Sequence, residues 1–358
     1  MLLKKSSPVV LTALFVATTG LALSFAPACS TVAACPDGVN CNPDAGAGDA
    51  GEGGAGGDGG TGGAGTGGAG TGGVVDPCMN AKQDGVETDT DCGGPECKGC
   101  DPDQKCATNT DCVSNLCDVT SLACTCPVGM VSILAPGGKY CMDQFEVTWQ
   151  EYGAFWPNVS PQGSGPVCAW KLSFEPAGAE PIDTTQPVVN VDWCDAYNYC
   201  KWNDKRLCGG IKDQEYGFSD YAAKDLSEWY NACSFLGTKA FPYGQGYMSA
   251  QCNGFAAGNG ATLPGTALMS CMGGTPGLYQ MSGNVAEWED SCESEGTGGG
   301  GGAGGGGGAG GVPDPGATLC RKRGGSYLSA TSTDLRCDAD ASSPRSYAAP
   351  DVGFRCCL

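Results

Sequence analysis

Histidine is absent from all 358 residues. The side chain best suited to proton transfer near neutral pH, and the commonest transition-metal ligand, is therefore missing. Serine-histidine triads, histidine-zinc hydrolases and histidine-ligated iron oxygenases are excluded unless a partner chain supplies the group. Basic residues are scarce as well: 19 Lys and Arg stand against 39 Asp and Glu, a formal charge of -20. Such a surface repels phosphate backbones and anionic lipid heads, so no nucleic acid is expected as a partner. After residue 28 no run is long and apolar enough to span a bilayer, which leaves an N-terminal lipid as the one expected route to a membrane.

Cysteine and glycine, by contrast, are abundant. Twenty-five cysteines would be a hazard in a reducing cytosol, whereas an oxidising compartment turns them into cross-links. The N-terminus agrees with export. Lys4 and Lys5 form a basic start, Val9 to Ala28 is apolar or small, and small residues precede Cys29, the pattern of a signal segment over 1–28. Cys29 is the candidate lipid-bearing residue, although Ala26-Pro27-Ala28 lacks the leucine usual before one. With lipid on Cys29, Cys35 and Cys41 can pair and 24 cysteines remain for bridges. Plain cleavage after Ala28 leaves 25, one of them unpaired. The protein is expected in the cell envelope or outside the cell, with an outer-membrane lipoprotein as one form of that.

About half of the 61 glycines lie in two tracts that offer no apolar surface to offset chain entropy. The first makes 29–76 a flexible tether. Residues 77–125 follow as a small unit with eight cysteines and few large apolar residues, which disulfides must stabilise in place of a core. Zinc is disfavoured there, because no repeated CxxC is present and the compartment is oxidising. Asp84, Glu87, Asp89 and Asp91 lie on a glycine-punctuated turn that either gathers oxygens around calcium or is simply a solvated acidic turn; the full EF-hand spacing is missing. The unit resembles cysteine-rich spacers of bacterial surface proteins.

The main domain is 126–358, interrupted by a glycine-rich insertion at 296–311. It holds all seven tryptophans and is the one segment able to build a sizeable core. Thr148 with Glu151 is a capping-box pair, followed by Tyr152, Phe155 and Trp156 on one helical face up to Pro157. PVVNV at 187–191 predicts a buried strand, and Asp192 predicts the cap of a helix bearing Trp193, Tyr197 and Cys200. A third short helix is predicted to start near Asp225, with Glu228 at the box position.

Seven stretches in order, YCMDQFEVTWQEYGAFW (140–156), PVVNVDWCDAYNYCKWNDKRL (187–207), EWYNAC (228–233), FPYG (241–244), GLYQMSGNVAEWEDSC (277–292), RGGSY (323–327) and VGFR (352–355), together resemble the formylglycine-generating enzyme, or sulfatase-modifying factor, family. The resemblance implies an α+β, irregular, turn-rich fold like that of C-type lectins, here disulfide-stapled and preceded by the small cysteine-rich unit. It also implies calcium at the GNVAEW turn, with side-chain oxygens of Gln280 and Glu287 and carbonyls of Gly283 and Val285 as ligands. The alternative for Glu287 is a salt bridge to an arginine.

Active members of that family hold copper(I) through two cysteines shortly after GGSY, because soft thiolates suit that ion. Those places fall on Ser329 and Asp334, so the resemblance implies neither copper nor a catalytic residue. Cys337, the nearby thiol, is read as a disulfide partner of Cys320, Cys356 or Cys357. Ala286 stands where the family has tryptophan. Ser326 matches a pocket-lining position, and with Arg323, Arg336 and Arg355 it is a pocket candidate. Those arginines, with Arg345, either make structural ion pairs or line an anion-binding cleft. The expected role is a tethered, non-catalytic member binding a ligand or protein at the cell surface. An oxidoreductase that makes formylglycine by another arrangement, and a structural spacer, are the alternatives.

Overall fold

A computed structural model describes residues 76–212, 216–293 and 316–358. The signal segment, the tether, Cys29 and the insertion at 296–311 lie outside them. Among the described residues no helix is long and apolar enough to cross a membrane.

Residues 78–124 close on themselves through four disulfides, Cys78–Cys97, Cys92–Cys100, Cys106–Cys117 and Cys112–Cys124. The buried centre of this region is the cysteines themselves, with one two-stranded ladder of β1 (Cys117–Asp118) and β2 (Ala123–Cys124). Its acidic turn is consumed by backbone capping. Asp91 accepts from Asn80 and Ala81, Glu87 from Asp84 and Asp91, and Asp89 from Thr90 and Lys105. These carboxylates are used to hold the backbone of the turn. Cys126–Cys141 and the ion pairs Lys139–Asp103 and Lys212–Asp101 join this region to the strands that follow.

The rest has two small four-stranded sheets and short helices joined by turns. In the first sheet β3 (Met130–Ala135) and β4 (Gly138–Asp143) form a hairpin, extended in the order β3-β4-β12-β5 by β12 (Cys356–Cys357) and β5 (Arg206–Leu207). The second has the order β10-β9-β8-β11, from β10 (Ser342–Pro344), β9 (Leu319–Arg323), β8 (Ala286–Cys292) and β11 (Val352–Phe354). β8 is its axis, antiparallel to β9 and parallel to β11. A further pair is β6 (Met272–Gly273) with β7 (Thr275–Tyr279).

The helices follow their caps. Thr148 and Glu151 form the reciprocal box of α1 (Trp149–Tyr152), and Asp192 with Asp195 that of α2 (Trp193–Trp202). α1 is shorter than expected, because Gly153 caps it and the chain continues in turns. α3 (Glu228–Ser234) is capped by Ser227 and not by Asp225; Glu228 is its first residue, and its carboxylate turns away to pair with Arg206. PVVNV is not a strand of either sheet. It bridges two loops, Val188 N–H donating to Val147 and Asn190 N–H to Ala349, and the left-handed φ of +59° at Asn190 breaks any ladder.

Two apolar clusters fill the interior. One packs α1 and α2 against β8, β11 and β12, with Tyr152, Phe155, Tyr199, Trp288 and Phe354 at its centre. The other packs α3 against the β3–β4 hairpin and β7, around Ile133, Met142, Trp229 and Leu278. Buried indoles find partners as they must: Trp193 donates to Glu289 O and Trp288 to Val191 O, each at 3.0 Å. The fold is thus α+β, turn-rich and disulfide-stapled.

Candidate functional site

The turn before β8 and the loop after β9 meet where the sequence placed both the cation and the catalytic positions. Gln280, Gly283 and Asn284 all have positive φ, of 60°, 77° and 63°, so the chain coils tightly before Ala286. A Cβ on Gly283 would sit 2.4 Å from Asn253 O, which explains glycine there.

β8 then carries Glu287 and Glu289 inward, and both are fully buried. Glu287 lies opposite Arg323 on β9 and opposite Gly353 on β11. Its carboxylate accepts a fork from Arg355, Nε to Oε2 at 2.7 Å and Nη2 to Oε1 at 2.6 Å, and Trp229 Nε1 donates to Oε2 at 2.8 Å. Arg355 gives its remaining donors to the carbonyls of Asp143, Gln144 and Tyr279, so all five of its N–H groups are used. Glu289 accepts from the Tyr216 hydroxyl at 2.7 Å and from Ser227 Oγ at 2.8 Å, with Arg323 Nε 3.5 Å away. Burial raises the Glu289 pKa, against the lowering influence of Arg323.

For Glu287 this geometry gives the alternative reading, a salt bridge to an arginine, in place of a calcium ligand. The Arg355 guanidinium stands against both oxygens of Glu287, where a cation would need them, and adds a like charge at that point. Gln280 donates weakly to the carbonyls of Gly265 and Leu268 at 3.4 Å, and its buried Oε1 has no partner among the described residues. With Glu287 taken, the Gln280 amide oxygen and the Gly283 and Val285 carbonyls are what is left of the expected set, without a carboxylate to match the charge of calcium.

Beyond β9, Gly324 and Gly325 turn with φ of 79° and 64°. Ser326 Oγ donates to Asp351 Oδ2 at 2.7 Å and accepts from Leu328 N–H, while Ser326 N–H donates to Ser329 Oγ at 3.0 Å. Ser326 is therefore a loop-holding hydroxyl beside a carboxylate. Ser329 and Asp334 flank one glycine: a Cβ on Gly325 would lie 2.8 Å from Ser329 Oγ and 2.6 Å from the Asp334 carbonyl. The two positions that the resemblance assigns to copper therefore both approach Gly325, Ser329 through its hydroxyl and Asp334 through its backbone carbonyl, and neither residue carries the soft sulfur donor that copper(I) favours.

The nearby thiol is unavailable. Cys337 is bonded to Cys233 of α3 and not to Cys320, Cys356 or Cys357, which pair with Cys292, Cys200 and Cys208. The backbone N–H of Cys337 donates to Ala240 O, which holds its segment beside α3. All 22 cysteines among the described residues sit in eleven bridges. The residues present do not fit a thiolate-held copper.

The arginines do not line a common cleft. Arg323 is buried and donates to the carbonyls of Ala339, Tyr221 and Cys337. Arg336 forks onto Asp338 at 2.6 and 2.7 Å. Arg345, buried, lies over the Trp193 ring and donates to Val167 O. The anion-cleft reading gives way to local pairing at each position.

Glu146, which sequence reasoning passed over, lies beside the Arg355–Glu287 pair. It is buried at 2% exposure, accepts from Asn284 Nδ2 at 3.0 Å, and its Oε2 has no partner among the described residues. Burial pushes its pKa up to about 8, with Arg355 pulling the other way and Glu287 adding to the rise. The signal was present in FEVTW, a carboxylate between two apolar residues just before a helix cap. Glu146 also contributes to the lining of a cavity of about 140 Å³ with Asp143, Glu151, Tyr199 and Lys205. Lys205 pairs with Asp143 there at 2.6 Å.

Residues 135–358 match the family model described as the sulfatase-modifying factor enzyme 1-like domain. Among solved structures, the chain is similar to CarF (18% identity, 62% of this chain and 86% of that one, TM-score 0.39) and to variable protein 1 of Treponema denticola (17%, 62% and 84%, 0.36). PvdO from Pseudomonas aeruginosa is a third (18%, 65% and 92%, 0.38). No curated protein sequence matches the chain.

Proposed function

The chain belongs to the family of the sulfatase-modifying factor enzyme 1-like domain, and from that premise we propose that it is an exported, envelope-tethered, non-catalytic member that binds a ligand or a protein partner at the cell surface. The observation that carries this reading is the chemistry at the two copper positions. Ser329 through its hydroxyl and Asp334 through its backbone carbonyl both approach Gly325, and each cysteine of the domain is committed to a bridge. An oxidase of this kind needs thiolates that coordinate copper(I) and leave room for a substrate thiol. A hydroxyl and a carboxylate supply neither the softness nor the electron density for that ion.

Ser326 does not substitute as a nucleophile. Its hydroxyl donates to Asp351, and without histidine in the chain no neutral base stands ready to take its proton onward. What the residues around the loop do is hold shape: Glu287 and Arg355 lock β8 to β11, and Ser326, Ser329 and Asp351 pin the loop.

Export is supported by the eleven bridges and by the apolar N-terminal segment. The three cysteines outside the bridged set, Cys29, Cys35 and Cys41, are an odd number and cannot all pair with one another, which favours a lipid on Cys29. The functional test is direct. Mature protein incubated with copper, oxygen and a cysteine-containing peptide of the sulfatase type is expected to leave the peptide cysteine unchanged by mass spectrometry; its conversion to the aldehyde overturns the reading.

A further inference from the structure

A second concave surface, to which no residue of the GGSY loop contributes, lies at the C-terminal end of α2. Trp202, the last residue of that helix, is 44% exposed, although its ring is backed by Phe155 and Tyr199 at centroid distances of 5.6 and 6.1 Å. It stands in a groove of about 310 Å³ between α2 and the loop at 159–164, with the buried Phe174 and the half-buried Val159 contributing to the lining. Of the polar groups lining the groove, the Ser160 and Ser164 hydroxyls serve the local backbone, but others keep hydrogen-bonding capacity. Asn198 Nδ2 donates to Cys194 O at 2.8 Å, which leaves its Oδ1 without a partner among the described residues. The Gln162 amide and the Lys201 ammonium make no side-chain hydrogen bond or ion pair among them either. The groove thus sets an indole packed on two aromatic rings beside an uncommitted amide oxygen, a second amide and an ammonium.

The chemistry of these groups selects the occupant. An apolar peptide side chain would cover Trp202 but strand the polar groups, at the cost of burying them unpaired. A polyanion meets one lysine on a chain of charge -20. A neutral pyranose offers both complementary surfaces at once, a flat C–H face for the indole and hydroxyls that donate to Asn198 Oδ1 and accept from Gln162 and Lys201. We infer that this groove binds a neutral hexopyranose unit of a surface polysaccharide, stacked on Trp202 and oriented by Gln162, Asn198 and Lys201.

The inference gives a ligand class to the binding role proposed above and rests on that reading only for the need of a ligand. A chain that oxidised the peptide yet bound sugar would lose the first and keep the second.

The test titrates the mature protein with cellohexaose, maltohexaose and mannohexaose, followed by tryptophan fluorescence and calorimetry. At least one is expected to saturate, with affinity falling about tenfold or more in Trp202→Ala. Because Trp202 also touches the core, Gln162→Ala supplies a second variant at an exposed position; it is expected to keep the wild-type melting temperature while weakening the same sugar several-fold. Saturation unaffected by both variants, or no saturation by any of the three sugars at millimolar concentration, overturns the assignment.

Discussion

Arg355 and Glu287 form a forked ion pair with both side chains fully buried, as are those of the longer Arg323–Glu289 pair. A pair of this kind is worth little against a well-packed apolar replacement, but losing one partner leaves an uncompensated buried charge. Arg355→Ala removes five hydrogen bonds and strands Glu287. We expect a loss of about 3–5 kcal/mol in denaturant unfolding with bridges intact; a loss below about 1 kcal/mol would falsify the assigned role. Glu146 gives a pH signature. Burial raises its pKa to about 8, so the folded state favours the neutral acid. Its contribution is fully present below the ordinary glutamate range and is lost as pH rises towards about 8, because the unfolded chain ionises more readily. Glu146→Gln is expected to flatten that fall, melting above wild type at pH 8 and close to it at pH 4. Equal pH slopes for the two proteins would show that Glu146 does not titrate as assigned.

At the scale of elements, adjacent cysteines on β12 resolve a connectivity that their spacing could not. Successive residues of a strand face opposite ways, so Cys356 enters the α1–α2 cluster and meets Cys200, while Cys357 enters the α3 cluster and meets Cys208. Non-reducing peptide mapping should recover Cys200–Cys356 and Cys208–Cys357; the exchanged pairing would contradict the register of β12. What sequence reasoning could read was local. The Thr148–Glu151 and Asp192 caps depend on neighbours three residues apart, and both are present. What it could not read was long-range. The Cys233–Cys337 bridge spans 104 residues, and the parallel pairing of β8 with β11 joins stretches with no shared local signal. PVVNV has the composition of a strand, but the left-handed backbone at Asn190 interrupts any ladder. The same limit applied at the site: residue types at 329 and 334 were legible, whereas the capture of Glu287 by Arg355 required the sheet that brings them together.

For the molecule as a whole, the distribution of cysteine is the argument. Bridges Cys200–Cys356 and Cys208–Cys357 tie the C-terminus to the middle of the domain across 156 and 149 residues, loops long enough for each to remove several kcal/mol of unfolded-chain entropy in the loop-closure model. Four more bridges hold the 78–124 region, which lacks a core of large apolar side chains. Thiols are thus committed to bridges throughout the described chain, while Ser329 and Asp334 stand at the positions that the resemblance assigns to copper-binding sulfur. The most direct measurement is an anaerobic copper(I) titration of the mature protein, bridges intact, against a competing chelator. The account predicts no tight stoichiometric binding. One copper per chain, retained against the competitor, would contradict it.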